Sequence, residues 1–167
     1  VAVFFLSFLF LISTITAILY FSKPSRDAYR FLLAHGAWVM IKENPFLGKG
    51  IGTFMDYCNR YTNNFGASYA HNCYLQIWAE SGIFSLLCFL LFVWFVFYKS
   101  IKVSLRLPKS PDFFILIGLT AGLLGFLVHS FFDVHFYSFQ LSFLFWAVLG
   151  LTVALGSNLE QELKLKP

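Results

Sequence analysis

The sequence predicts an all-α protein: a bundle of transmembrane helices with one long polar loop that contains an amphipathic helix. Of its 167 residues, 59% are hydrophobic and only 12% are charged, whereas about 25% of the residues in soluble domains are charged. The mean hydropathy is +0.73. Four apolar segments each reach the length of about 20 residues that a helix needs to cross a bilayer. The composition therefore excludes an ordinary soluble domain.

The predicted transmembrane segments are residues 1–21, 77–98, 113–131 and 136–156. The second carries one acid, Glu80. The third contains Gly118 and Gly122, a spacing that permits close helix packing. The chain enters the first segment directly, without an initiator Met or the charged region of a signal peptide. We therefore expect a C-terminal fragment of a longer membrane protein.

Basic residues predict the orientation of these segments. The short loop 99–112 contains one acid and four basic residues, which are Lys99, Lys102, Arg106 and Lys109. Short basic loops stay on the cytoplasmic side of a membrane, so the long loop of about residues 22–76 is predicted to lie on the outer side. The same rule accounts for the net charge of +4, and no nucleic-acid partner is predicted.

The long loop begins with a predicted helix from Arg26 to Glu43, which Ser25 caps and Asn44-Pro45 ends. At about 100° per residue, its apolar residues share one face. Arg26 and Arg30 lie beside that face together with small residues. Two interpretations stay open: the arginines reach lipid headgroups from an interfacial helix, or they line a cavity.

Three alternating glycines follow at Gly48, Gly50 and Gly52. Their spacing is not that of a dinucleotide-binding motif, and Lys49 is not followed by the Ser or Thr of a P-loop. A structural turn is the simpler interpretation, and a substrate phosphate contact that includes Lys49 is the alternative. Residues 56–70, rich in Tyr and Asn, are predicted to be irregular.

A polar stripe follows where the chain re-enters the membrane. Asn72, Gln76 and Glu80 are spaced i, i+4, i+8 and therefore share one helix face. Polar groups at membrane depth face a protein interior or a wet cavity, so the stripe either joins helices or binds substrate. His71 precedes it and either caps the helix or transfers protons near neutral pH.

No metal site and no cofactor are predicted, because the histidines lack a zinc-binding spacing such as His-Glu-x-x-His. His129 and Asp133 are instead expected to tie together the outer ends of the third and fourth segments. A disulfide between Cys58 and Cys73 is an alternative if the loop faces an oxidising compartment.

Two sequence blocks together resemble the bacterial O-antigen ligase and O-antigen polymerase superfamily. After Arg30, residues 40–54 read M-I-x-x-N-P-x-L-G-x-G-x-G-x-F, and residues 71–82 read H-N-x-Y-L-Q-x-x-A-E-x-G. Residues 129–133 (H-S-x-x-D) and 144–151 (L-x-W-x-x-x-G-L) extend the resemblance, which covers about residues 25–151.

The resemblance implies a multi-pass glycosyltransferase of the bacterial inner membrane whose long loop is periplasmic. Such enzymes move a glycan from undecaprenyl diphosphate to an acceptor hydroxyl on the periplasmic side. Ligases deliver it to lipid A core and polymerases to another repeat unit, while other relatives glycosylate protein. The implied partners are the lipid-linked donor, a lipid A core or glycan acceptor and membrane lipid, with no metal.

The resemblance also matches His71 and Arg30 to the family's catalytic histidine and arginine. A guanidinium offers fixed, bidentate donors to phosphate oxygens, so Arg30, with Arg26, is expected to bind the diphosphate. His71 is expected to take or orient the acceptor proton. The remaining predicted substrate-binding residues are Asn72, Gln76, Glu80 and Lys49. Because the family's upstream helices are absent, this fragment alone is not expected to be active.

Two alternatives remain. A polymerase of the same superfamily would share the chemistry and differ in its acceptor. A non-catalytic polysaccharide-export or flippase-like protein would share the membrane architecture, but its Arg30 and His71 would not face one cavity. The position of these two side chains relative to each other therefore discriminates between catalysis and export.

Overall fold

A computed structural model of the chain describes residues 24–62 and 69–165, with side chains for residues 28–60 and 69–165. Within these ranges the chain is helical and contains no strand, which confirms the all-α prediction. The five α-helices, numbered α1 to α5 here, are Pro24–Glu43, Phe54–Thr62, Cys73–Ser104, Pro111–His129 and Phe139–Leu165, with a 3-10 turn at His135–Tyr137. The predicted segment 1–21 lies outside the described residues.

Helices α3, α4 and α5 are, by length and composition, each long and apolar enough to cross a membrane. The predicted segment 77–98 lies within α3, and the segments 113–131 and 136–156 overlap α4 and α5 except at residues 130–131 and 136–138. A buried cluster joins the three helices and consists of Val93, Val96, Leu123, Phe145 and Leu149. Nearer the other end of the bundle, the hydroxyls of Ser100 and Thr120 form a buried hydrogen bond, which pairs polar groups that lipid could not satisfy.

Helix α1 packs on the N-terminal part of α3 through a stripe of buried residues at helical spacing: Leu33, Ala37, Met40 and Ile41. The indole rings of Trp38 and Trp78 meet edge to face with their centroids 6.0 Å apart. The predicted outer loop is therefore folded onto the membrane helices in the parts that the structure describes. The side of the membrane on which it lies stays a prediction.

The predicted irregular structure of residues 56–70 is wrong at its start, because residues 54–62 form helix α2. Phe54 and Cys58, one helical turn apart, are both fully buried against α1. Asp56 in the first turn and Arg60 in the last also suit the helix dipole. The polar composition of the whole stretch obscured this short amphipathic pattern.

Candidate active site

Helix α3 is broken at Gly82, whose φ of 81° and ψ of 170° are not helical. In an unbroken helix the Ile83 N–H would bond to the carbonyl four residues earlier, that of Ala79. Instead it donates to the Pro45 carbonyl at 3.0 Å. The indole N–H of Trp78 donates to the same carbonyl, also at 3.0 Å. The turn after α1 is thereby inserted into the helix break.

The glycine-rich turn satisfies the carbonyl groups that the break releases. The Lys49 N–H donates to the Ala79 carbonyl at 2.9 Å, and the Gly50 N–H donates to the Glu80 carbonyl at 2.8 Å. Buried carbonyls without such donors would cost free energy. The backbone of the turn therefore binds helix α3, which favours the structural interpretation of the three glycines.

Two glycines, one from each sequence block, permit this close approach. Gly48 and Gly82 have φ values of 71° and 81°, in the region that favours glycine. A Cβ atom on Gly48 would collide with the Glu80 backbone, and one on Gly82 would collide with the Phe46 backbone. We call this packing of residues 45–50 against residues 79–83 the glycine interlock. The interlock joins the two sequence blocks in space.

The Glu80 side chain, only 1% exposed, joins three parts of the fold. Its Oε1 atom accepts from the Phe54 N–H at 3.1 Å and from the Gln76 amide at 3.4 Å. Its Oε2 atom accepts from the Tyr137 hydroxyl at 2.8 Å. Burial, together with the neighbouring Glu80 carboxylate, raises the pKa of Tyr137, so this phenol remains a neutral donor.

The other members of the polar stripe fix the segment that carries His71. Gln76, which is also buried, accepts from the Ala70 N–H at 2.9 Å. Asn72 caps α3 by accepting from the Leu75 N–H at 3.0 Å, and its amide donates to the Phe131 carbonyl at 3.1 Å. The stripe thus holds residues 70–72 between α3 and the turn after α4.

His71 is held in a φ of 51°, which is uncommon for a residue other than glycine. Its Nδ1 atom lies 3.3 Å from Oδ1 of Asp133, and both side chains are partly exposed. Burial opposes ionisation of Asp133, but hydrogen bonds from the Val134 N–H and from His71 outweigh it and lower the pKa of Asp133. The Nε2 atom of His71 has no hydrogen-bond partner within the described part of the chain.

An open groove of about 290 Å³ lies between α1, the start of α3 and the turn after α4. Arg30 and Ala34 form its wall on α1, and His71 and Asn72 form its wall at the start of α3. The turn after α4 adds two aromatic rings. The structure thus brings a guanidinium and an imidazole, 41 residues apart in the sequence, to one surface that a ligand can reach.

One comparison with known proteins gives a match. A family model described as O-antigen ligase matches residues 1–90. The chain belongs to the O-antigen ligase family. The match includes α1, the glycine interlock and the polar stripe, and it confirms the resemblance drawn from the sequence blocks. No curated protein and no solved structure matches the chain.

Several predicted site residues of this O-antigen ligase family member lie away from the groove. Lys49 pairs with Glu43 at 2.7 Å and lies 5.1 Å from the centre of the Tyr57 ring. Gln76 and Glu80 are buried below the groove surface, with the protein partners given above. The Arg26 side chain lies outside the described residues. The structure therefore brings Arg30, His71 and Asn72 together and separates them from Lys49, Gln76 and Glu80.

Sequence analysis missed the contact between Asp133 and His71. The sequence predicts only that Asp133 ties two helix ends together, although Asp133 belongs to the H-S-x-x-D block. It also lines a second groove, of about 240 Å³, with Tyr69, His135 and Tyr137. The contact of His71 with Asp133 thus joins the linings of two grooves.

The predicted alternative of a disulfide is not present in this O-antigen ligase family member. Cys58 and Cys73 are both buried, and no disulfide joins them. The Cys73 thiol instead donates to the Asp133 carbonyl at 3.2 Å, and the Cys73 N–H donates to the Ser130 carbonyl at 2.9 Å. Cys73 therefore helps to place Asp133 beside His71.

Proposed function

We propose that this chain is part of a membrane glycosyltransferase that moves a glycan from undecaprenyl diphosphate to a hydroxyl of lipid A core. The observation that carries the proposal is the groove shared by Arg30 and His71. The export alternative requires these two side chains to face different surroundings, so the shared groove favours catalysis. The periplasmic position of the groove, on the inner membrane, is part of the same proposal.

The proposed reaction is a single displacement at the anomeric carbon of the donor sugar. The acceptor oxygen forms a bond to this carbon, and the bond from the carbon to the diphosphate oxygen breaks. The diphosphate leaves with the electron pair, and the acceptor proton passes to His71. Preorganised positive charge at a developing anion is usually a large catalytic contribution, and Arg30 supplies that charge in the groove.

The contact with Asp133 supports the role of His71 as the base. When Nδ1 carries the proton and donates to a carboxylate, Nε2 is the unprotonated ring nitrogen. Nε2 is also the ring nitrogen without a partner in the described part of the chain. Asp133 is therefore proposed as a positioning residue that fixes the tautomer and the ring orientation. Asn72, on the same wall, is proposed to bind substrate hydroxyls.

Transfer in bacterial membranes tests this proposal, with the chain expressed as part of its full-length protein. His71→Ala and Arg30→Ala should each reduce glycan attachment to lipid A core at least about 100-fold. His35→Ala and Arg60→Ala change the same residue types at exposed positions outside the groove and should retain activity. Full activity of either groove variant would contradict the assignment.

The polymerase alternative uses the same donor and the same groove, and it differs in the acceptor. The same membranes therefore need two readouts: attachment of glycan to lipid A core, and lengthening of the glycan on its lipid carrier. Loss of attachment alone in His71→Ala supports the ligase. Loss of lengthening alone supports the polymerase and contradicts the proposed acceptor.

A further inference from the structure

Three basic side chains meet in one groove at the end of α3 that is far from His71. Lys99, Lys102 and Arg106 are spaced i, i+3, i+7, which places them on one side of the chain as it completes the helix. They line a groove of about 80 Å³ between α3 and α5, and Glu160 lines its α5 side. We call this the basic groove.

The basic groove keeps a surplus of positive charge. Glu160 lies 3.1 Å from Lys164 and 3.9 Å from Lys99. With Lys102 and Arg106, this cluster has four cations and one anion, which leaves a charge of +3. The Lys102 ammonium also lies 5.6 Å from the centre of the Tyr98 ring. An anion that enters the groove therefore meets charges that Glu160 does not neutralise.

A second, apolar groove of about 480 Å³ adjoins the basic groove and shares Tyr98, Lys102 and Arg106 with it. It continues along Trp94, Phe97 and Ile101. From Trp94 to Ser104, the last residue of the helix, α3 rises by about 15 Å. The combined surface has cations at one end and aromatic and aliphatic side chains along the rest, which matches a phosphate headgroup attached to an acyl chain.

The position of the basic groove along α3 fits the level of lipid headgroups. Residues 81–98 contain no Asp, Glu, Lys or Arg. Their 18 residues span about 27 Å as a helix, close to the hydrocarbon thickness of about 30 Å. The Arg30 and His71 groove lies at one end of this stretch, and the basic groove lies at the other.

We propose that the basic groove and the adjoining apolar groove bind one anionic phospholipid. Its phosphate lies between Lys102 and Arg106, and one acyl chain lies along Trp94 and Phe97. Basic pockets between transmembrane helices are a known means of binding anionic headgroups. The rule for membrane orientation depends on the number of basic residues in a loop, and it does not require them to converge on one groove.

Native mass spectrometry of the full chain in detergent tests this site. Dioleoylphosphatidylglycerol should bind more tightly than dioleoylphosphatidylcholine, which has the same acyl chains. The double substitution Lys102→Gln/Arg106→Gln removes both proposed phosphate contacts and should weaken phosphatidylglycerol binding by about ten- to thirty-fold. Lys109→Gln removes a basic residue from the same loop but outside both grooves, and it should not change binding. A thermal unfolding curve shows that each variant is folded.

Three results would overturn the proposal. Equal binding of the two lipids would show that headgroup charge is not recognised. An equal loss in Lys109→Gln would show a diffuse effect of loop charge. Competition by inorganic phosphate at equal phosphate concentration, with no loss of binding in Trp94→Ala, would show a site for free phosphate in which the apolar groove has no part.

Discussion

The Nδ1 atom of His71 lies 3.3 Å from Oδ1 of Asp133, so a contact joins two residues that are 62 positions apart in the sequence. The contact depends on three hydrogen bonds around it. Asn72 donates to the Phe131 carbonyl, the Cys73 thiol donates to the Asp133 carbonyl, and the Val134 N–H donates to Oδ1 of Asp133 itself. The end of α4 and the start of α3 are therefore held in one arrangement.

Asp133→Asn should lower kcat for glycan transfer by about ten- to a hundred-fold, with little change in the KM of donor or acceptor. An amide can donate to Nδ1 as well as accept from it, so the useful tautomer of His71 is no longer fixed. Steady-state kinetics of the proposed transfer give kcat and KM separately. Asp133→Glu, which keeps the carboxylate, should recover part of kcat. A change confined to KM would show that Asp133 binds substrate instead.

Alanine substitutions of three glycines should separate steric collision from backbone strain. Gly48→Ala combines a positive φ with a collision against Glu80 and should lose more than about 2 kcal/mol of stability. Gly52→Ala has a positive φ of 77° but no neighbour within 4 Å, and it should lose about 1 kcal/mol. Thermal unfolding in detergent measures both.

Gly118→Ala is the matched control for these substitutions, because Gly118 lies inside α4 with no neighbour within 4 Å of an added Cβ atom. Alanine is favoured over glycine in a helix interior, so this variant should be as stable as the parent or slightly more stable. If Gly48→Ala behaves like Gly118→Ala, residues 45–50 do not pack into the break of α3 as described.

The hydrogen bonds of Glu80 predict a non-additive pair of substitutions. Glu80→Gln replaces one acceptor oxygen with an amide donor that faces the Tyr137 hydroxyl or the Phe54 N–H. This substitution should lower the free energy of unfolding by about 2 kcal/mol. Tyr137→Phe removes one of these donors. The double variant should therefore be more stable than the sum of the single effects predicts. Simple additivity would mean that the bond of Glu80 to Tyr137 does not form.

The His135 imidazole predicts how stability changes with pH. Burial and the neighbouring His129 lower its pKa below 6.5, and the Asp133 carboxylate opposes them. The folded state therefore binds this proton less readily than the unfolded state. The contribution of His135 to stability is complete above its pKa in the unfolded state. It is lost as the pH falls through its pKa in the folded state.

Thermal unfolding at about pH 7.5 and about pH 5.5 should therefore show a lower Tm at the acidic pH. His135→Phe retains a ring against Phe126 and His129 but does not titrate, so its Tm should fall less between the two pH values. An equal fall in both proteins would assign the pH dependence to other groups.

The helices of this protein could largely be predicted from the sequence, because apolar periodicity and caps are local signals. The predicted helix from Arg26 to Glu43 agrees with the observed Pro24–Glu43. The predicted proximity of Arg30 to small residues also agrees with the groove, where Arg30 lies near Ala34. Both features depend only on residues within a few helical turns.

The break at Gly82 and the burial of Glu80 could not be predicted from local signals. The Ser81-Gly82-Ile83 stretch alone does not show that a distant turn replaces a helical hydrogen bond. Whether Glu80 faces substrate or protein likewise depends on Tyr137 and Phe54, which come from other elements. The two sequence blocks mark these regions as candidates for the site. The three-dimensional contacts show that one block binds the other.

The glycine interlock has a consequence for the order in which the protein is made. The Lys49 and Gly50 amides leave the ribosome about 30 residues before the carbonyls that they bind. The turn cannot close until the start of α3 has been synthesised and has adopted its broken helical form. The distance between the wall with Arg30 and the wall with His71 is therefore fixed only after the start of α3 has entered the membrane.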